Sequence, residues 1–71
     1  MNAMGVNLFV NGESQQVPLD LTMRQLLVHL KLEPRMVAVE YNGEILHRQN
    51  WDSTVMGDGD RLEIVTMVGG G

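Results

Sequence analysis

The residues with the clearest capacity for chemistry are the last four of this 71-residue sequence, Val68 and Gly69–Gly71. Glycine has no side chain to bury and loses the most backbone freedom on ordering, so these residues predict a flexible tail over 68–71. Four extended residues reach at most ~13 Å. The tail could therefore carry the carboxylate of Gly71 into the active site of another protein. Gly69 and Gly70, which lack side chains, would keep the tail thin enough to enter.

Length, charge and composition restrict the classes of function. The 71 residues predict one small domain spanning 1–71. The net charge of −4, without a basic run, argues against binding nucleic acid through its phosphates. No apolar run has the length of a membrane span, and the first residues lack the pattern of a signal peptide. The absence of cysteine excludes disulfides and suits a reducing compartment. We therefore expect a cytoplasmic protein with no nucleic-acid or membrane partner.

The first elements predicted are a hairpin and a helix. Val6–Val10 alternates as a strand, an Asn-Gly pair at 11–12 predicts a tight turn, and Ser14–Val17 can pair back. A capping box marks the start of the helix, with Thr22 as the N-cap. The apolar stripe of this helix consists of Met23, Leu26, Leu27 and Leu30. The helix is expected to close at Glu33-Pro34, because the residue before proline avoids helical angles.

The rest of the sequence predicts three more strands. Met36–Tyr41 alternates, a second Asn-Gly pair at 42–43 turns the chain, and Ile45-Leu46 forms a short returning strand. An irregular segment follows, in which Trp51 is expected to close the edge of the core. Arg61–Met67 is the last strand, with its even-numbered apolar residues facing inward.

Together these elements predict an α+β fold of the β-grasp, or ubiquitin-like, type. A mixed sheet of four to five strands packs on one main helix, and the first and last strands lie in parallel at the centre of the sheet. Four apolar residues outside the predicted core are Phe9, Val65, Met67 and Val68. We predict that they form a docking patch for a partner beside the tail, although single exposed apolar residues are also ordinary on protein surfaces.

Three other features admit a chemical interpretation, but a structural one is favoured. The Asp58–Asp60 run is too short for an EF-hand calcium loop and predicts a turn. His29 and His47 have no partner at metal-ligand spacing. The six methionines suit core filling and interface contacts better than copper binding. The sequence therefore predicts no metal site.

Several runs, at their particular separations, carry a resemblance to a known family. These runs are Val39–Ile45, Arg48, Trp51, Asp58–Val65 and Val68–Gly71. In them the sequence resembles the thiamine-biosynthesis sulfur carrier (ThiS) family over nearly its whole length. Lys31 departs from the pattern, because glycine is expected there in many members, and this affects only the end of the helix.

The resemblance implies a protein-bound cosubstrate and not an enzyme. A ThiF-like adenylating enzyme, using ATP and Mg²⁺, would convert the Gly71 carboxylate to an acyl-adenylate. Sulfur from a cysteine persulfide, supplied for example by a cysteine desulfurase, would replace AMP and leave a thiocarboxylate. A ThiG-like thiazole synthase would take that sulfur into the thiazole of thiamine. The carrier itself would bind no cofactor.

Two alternatives use the same tail. The small subunit of molybdopterin synthase also presents terminal glycines, and a ubiquitin-like modifier would join an activated Gly71 to a lysine amine. A pure interaction domain is a third possibility that needs no activation. The residues alone do not distinguish sulfur from an amine as the acceptor.

Overall fold

The computed structural model describes residues 5–67. Its strands are β1 (Gly5–Val10), β2 (Glu13–Pro18), β3 (Val37–Tyr41), β4 (Glu44–Ile45) and β5 (Arg61–Thr66), and its α-helix is α1 (Met23–His29). Short 3₁₀ helices at Pro34–Met36 and Arg48–Asn50 flank the β3–β4 hairpin. Within the described range no helix has both the length and the apolar character needed to cross a membrane.

Both Asn-Gly turns are confirmed. Asn11 and Gly12 have φ angles of 52° and 84°, and Asn42 and Gly43 have φ angles of 51° and 91°. Positive φ at both central residues is the geometry that lets a two-residue turn follow the natural twist of its strands. Each turn therefore closes an antiparallel hairpin, β1–β2 and β3–β4.

The start of α1 is also confirmed. The Gln25 backbone N–H donates to the Thr22 hydroxyl oxygen at 3.2 Å, and the Thr22 backbone N–H donates to the Gln25 side-chain oxygen at 3.0 Å. These reciprocal bonds satisfy two backbone donors that the first helical turn would otherwise leave free. The helix therefore begins where the sequence predicts.

The end of α1 differs from the expectation. The helix closes at His29, several residues before Glu33-Pro34. Lys31 adopts a φ angle of 64° and donates its N–H to the Val28 carbonyl oxygen, while the Leu32 N–H donates to the Leu27 carbonyl oxygen. This is a Schellman motif, in which lysine occupies the left-handed position that glycine usually takes. The absence of glycine therefore costs some local strain but does not remove the cap.

The strand order is β2-β1-β5-β3-β4, with β1 and β5 parallel and the other pairs antiparallel. This confirms the β-grasp arrangement and the parallel central pair. The predicted strand at Ile45-Leu46 is shifted by one residue, because Glu44 pairs opposite Tyr41 directly after the turn. The last strand ends at Thr66, one residue before the predicted Met67.

The core lies between α1 and the inner face of the sheet. Trp51 is 1% exposed, and its indole N–H donates to the Leu46 carbonyl oxygen at 3.0 Å, so the residue closes the core as predicted. Met56 is a further core residue that the strand and helix patterns did not indicate. The buried side chains are Val6, Leu8, Val10, Val17, Met23, Leu26, Leu27, Val37, Val39, Trp51, Met56, Leu62 and Ile64.

Candidate functional site

The strand β5 leads directly to the predicted tail and is central in the sheet. Its residues alternate between buried and exposed, with Leu62 and Ile64 buried and Glu63 and Val65 exposed. The inward residues hold the strand against the core, because buried apolar side chains favour one register strongly. The outward residues are left free to contact a partner.

The side chain of Asn11 secures β5 beyond the end of β1. Its carbonyl oxygen accepts the Ile64 N–H at 2.8 Å, and its amide group donates to the Ile64 carbonyl oxygen at 3.1 Å. On the other side of the strand, the Met67 N–H donates to the Met36 carbonyl oxygen at 2.6 Å. The backbone is thus held as far as Met67. The predicted tail, Val68 and Gly69–Gly71, lies outside the described residues.

A hydrogen-bond network around Asp60 fixes the start of β5. The Asp60 carboxylate accepts the Tyr41 hydroxyl at 2.6 Å, the Gly57 N–H at 2.7 Å and the Asn42 side-chain amide at 3.1 Å. It therefore joins the turn before β5 to the β3–β4 hairpin. Gly59, with a φ angle of 88°, completes this turn, so the turn predicted at 58–60 is confirmed.

The charge states in this network follow from its geometry. Burial opposes ionisation of Asp60, but the hydrogen bonds from Tyr41, Gly57 and Asn42 outweigh it and lower the pKa of the Asp60 carboxyl. Burial, followed by the hydrogen bond to Asp60 and its charge, raises the pKa of Tyr41 to about 12. At neutral pH the pair is thus a carboxylate and a neutral phenol. We interpret it as a structural pair that positions β5.

Two of the predicted docking residues are exposed, one near the end of β5 and one directly after it. Val65 is 62% exposed and Met67 is 42% exposed. Beside Val65 lies a shallow groove of about 430 Å³, which we call the outer groove. It is lined by Ala38, Val39, Glu40, Ile45, Glu63 and Val65. Ile45, 69% exposed, forms its far wall.

Phe9 lies apart from these residues. It pairs with Arg61 at the beginning of β5, and the Arg61 guanidinium carbon is 5.1 Å from the centre of its ring. Val65 is four residues further along the same strand, about 13 Å at the usual rise of a strand. Phe9 is half-buried. The structure thus places Phe9 and Val65 at opposite ends of β5. Met67 follows the end of that strand, and Val68 lies outside the described residues.

The described residues form a candidate binding surface; they do not form a recognisable catalytic or metal centre. Within residues 5–67 no three His, Asp or Glu side chains converge in a way that could hold a metal ion. His29 and His47 are both exposed. What this part of the chain provides is a rigid strand end beside an apolar groove.

Three features of the site were missed at the level of sequence. Asn11 was identified only as a turn residue, and nothing local indicates its bonds to Ile64, which lies 53 positions away. The Tyr41–Asp60 bond likewise spans 19 positions. The alternation of β3 and β5 does place Glu40 and Glu63 outward, but their meeting in one groove depends on the register between the strands.

Comparison with known proteins gives a family and two relatives, one similar over nearly its whole length and one over a fifth of it. A model of the ThiS family matches residues 4–71. The sulfur carrier protein ThiS of Bacillus subtilis is 37% identical over 65 residues, which are 90% of this chain and 98% of that protein. A thiazole synthase of Paramagnetospirillum magneticum is 39% identical over 66 residues, which are 93% of this chain. The chain spans only 20% of that longer relative.

Among solved structures, the chain is similar to the crystal structure of a thiamine biosynthesis protein (ThiS) from Geobacter metallireducens. The TM-score is 0.80 at 40% sequence identity, and the similarity covers 93% of this chain and all (100%) of that one. Both sequence and architecture therefore point to the same group of proteins.

Proposed function

The chain belongs to the ThiS family, and we propose that it is a sulfur carrier of thiamine biosynthesis whose Gly71 carboxylate bears the sulfur. The observation that carries this proposal is the family match, which continues to residue 71. It is supported by the anchoring of β5, which Asn11 holds at Ile64 on one side and Met36 holds at Met67 on the other. A strand end held in this way gives the predicted tail a fixed point of attachment.

The chemistry requires activation of the carboxylate. A terminal carboxyl group has a pKa of roughly 3.3–3.7, so at neutral pH it is an anion and a poor electrophile. Transfer of AMP from ATP, with release of pyrophosphate, gives an acyl-adenylate whose AMP is a good leaving group. A cysteine persulfide can then displace AMP, and a thiol reduces the resulting acyl disulfide to leave the thiocarboxylate. All of these steps belong to partner enzymes.

Glycine suits the end of such a tail. Its lack of a side chain leaves the carbonyl carbon unhindered and allows backbone angles that other residues avoid. Gly69 and Gly70 serve passage through a narrow channel, and only Gly71 carries the reacting group. The protein therefore acts as a cosubstrate that is loaded and unloaded by others.

The thiazole synthase relative supports the identity of the sulfur acceptor. About one-fifth of that polypeptide is similar to this chain (20%), so a carrier-like segment and a protein named thiazole synthase occur in one molecule. We infer that a separate thiazole synthase is the partner that unloads this carrier. A ThiF-like enzyme would load it, with sulfur from a persulfide-forming cysteine desulfurase.

Intact-mass measurement tests the proposal. The carrier is incubated with the adenylating enzyme of the same organism, ATP, Mg²⁺ and a persulfide donor, and the expected product has one oxygen replaced by sulfur. Omission of ATP should prevent the change. Covalent adducts with lysines of other proteins would instead identify a modifier, and an unchanged mass would contradict carrier function altogether.

We expect Val65→Asp to weaken binding of thiazole synthase roughly tenfold or more, because docking would bury an unpaired charge. The melting temperature should change little, since Val65 is 62% exposed. Calorimetric titration gives the affinity, and thermal unfolding gives the stability.

A matched control for this variant is Val28→Asp, because Val28 is 61% exposed but lies on α1, away from the sheet. It should bind as the wild type does. A large fall in melting temperature for Val65→Asp would mean that the register of β5 is reversed. Equal loss of binding in both variants would argue against docking on the sheet.

A further inference from the structure

We propose that the outer groove receives an arginine or lysine of the partner, held between Glu40 and Glu63 and flanked by apolar side chains of the same partner segment. The inference rests on the proposed function, because the partner concerned is the thiazole synthase that handles the tail. It adds the chemistry by which that partner is recognised.

Two carboxylates face each other across neighbouring strands in this groove. Glu40 of β3 pairs directly with Glu63 of β5, and both side chains are exposed on the outer face. Side chains at directly opposite positions have Cβ atoms about 4.5–5.5 Å apart, and like charges there are destabilising. The isolated protein therefore carries an unfavourable charge pair in the middle of its sheet.

No cation of the described residues relieves this pair. The ion pairs found within residues 5–67 join Arg24 to Asp52 and Arg35 to Glu33. Arg61 lies two residues from Glu63 on the same face, but its guanidinium lies over the ring of Phe9. Glu40 and Glu63 thus remain without an ion-pair partner inside this range.

The surroundings of the two carboxylates are apolar. Ile45 pairs with Glu40 on the side of β4, and Ala38 pairs with Val65 in the next row of the sheet. All four residues contribute to the outer groove. The charges therefore lie between the exposed apolar side chains that a docking partner would cover.

The two carboxylates determine the charge of the partner side chain that can bind in the outer groove. A partner that covers Ile45 and Val65 must also cover Glu40 and Glu63, and burying carboxylates without a counter-charge is strongly unfavourable. Arginine suits the position best, because its planar guanidinium has five donors and can bond two carboxylates at once. Pairing with the partner would also remove the repulsion present in the free carrier.

The experiment measures affinity and stability together for Glu63→Gln and Glu40→Gln. Thiazole synthase of the same organism is the probe, titrated calorimetrically at low and at moderate salt. We expect each variant to bind about tenfold more weakly, with a smaller dependence on salt than the wild type. The melting temperature should be unchanged or higher, since each variant removes the like-charge pair.

Glu13→Gln is the matched control, because Glu13 is an exposed carboxylate on β2, at the other edge of the sheet. It makes the same change in net charge and should leave affinity close to that of the wild type. If it weakened binding as much as Glu63→Gln, the effect would be long-range attraction and the proposal would be wrong.

Other results would also overturn the inference. Unchanged affinity in both groove variants would mean that no cation is bound there. A wild-type dimer in sedimentation experiments that dissociates in Glu63→Gln would make a second copy of this chain the occupant. A negative result in these binding experiments would not contradict the proposed function. Sulfur loading is measured separately by intact mass, in an assay that contains no thiazole synthase.

Discussion

Deletion of Gly71 is expected to abolish ATP-dependent adenylation and sulfur loading while leaving the fold intact. The shortened chain still ends in a glycine carboxylate, but that group is displaced by one residue, or about 3.3–3.6 Å. A misplacement of about 1 Å in a reacting group can cost on the order of a hundredfold in rate. Pyrophosphate release should therefore fall to background, and the mass change that reports sulfur loading should not be seen.

Thermal unfolding supplies the control for this variant. The buried residues found within 5–67 already form a continuous core between α1 and the sheet, so we expect the melting temperature to match that of the full chain. Replacement of Gly71 by leucine should also block loading, because a branched side chain hinders the carbonyl carbon and the approach to it. If deletion lowered the melting temperature markedly, the tail would be structural and the proposed role of Gly71 would be wrong.

Trp51→Ala is expected to have the largest effect on stability. Loss of a large buried aromatic side chain typically costs about 3–5 kcal/mol, whereas a domain of this size is stable by roughly 4–11 kcal/mol. The variant also leaves the Leu46 carbonyl oxygen without its indole donor. The guanidinium carbons of Arg24 and Arg48, 5.6 and 4.8 Å from the ring centre, lose their contact as well.

Trp51→Phe is the matched control, because it keeps an aromatic ring in the core and removes mainly the N–H donor and part of the volume. It should be destabilised clearly less than Trp51→Ala in denaturant titrations. Sulfur loading of Trp51→Ala should recover when the sample is cooled to a temperature at which it is folded. A Trp51→Ala protein as stable as the wild type would contradict the buried position of this side chain.

The two variants separate the two parts of the protein. Deletion of Gly71 should abolish sulfur loading without lowering the stability, and Trp51→Ala should lower the stability of the domain while keeping the tail sequence intact. This is the behaviour expected of a cosubstrate whose folded body serves recognition and whose terminus serves reaction.

Features that depend on neighbouring residues were predictable from the sequence. The turns at Asn11 and Asn42 need positive φ, the capping box needs only Thr22 and Gln25, and the alternation in β5 separates its two faces. The end of α1 was placed too late because the helix is closed by left-handed Lys31, a conformation that lysine adopts rarely and that no local pattern announces. Met56 was missed because it belongs to an irregular segment without periodicity.

What the sequence determined by itself was therefore the set of elements, their inward faces and, through the resemblance, the family. Only the tertiary structure decided which residues distant in sequence meet: Glu40 opposite Glu63, Tyr41 with Asp60, and Asn11 with Ile64. The physical reason is that a slip of two residues between strands keeps every side chain on its own face, so periodicity alone cannot specify which neighbours are paired. That choice is made by the packing of the whole core and by turns far apart in the chain.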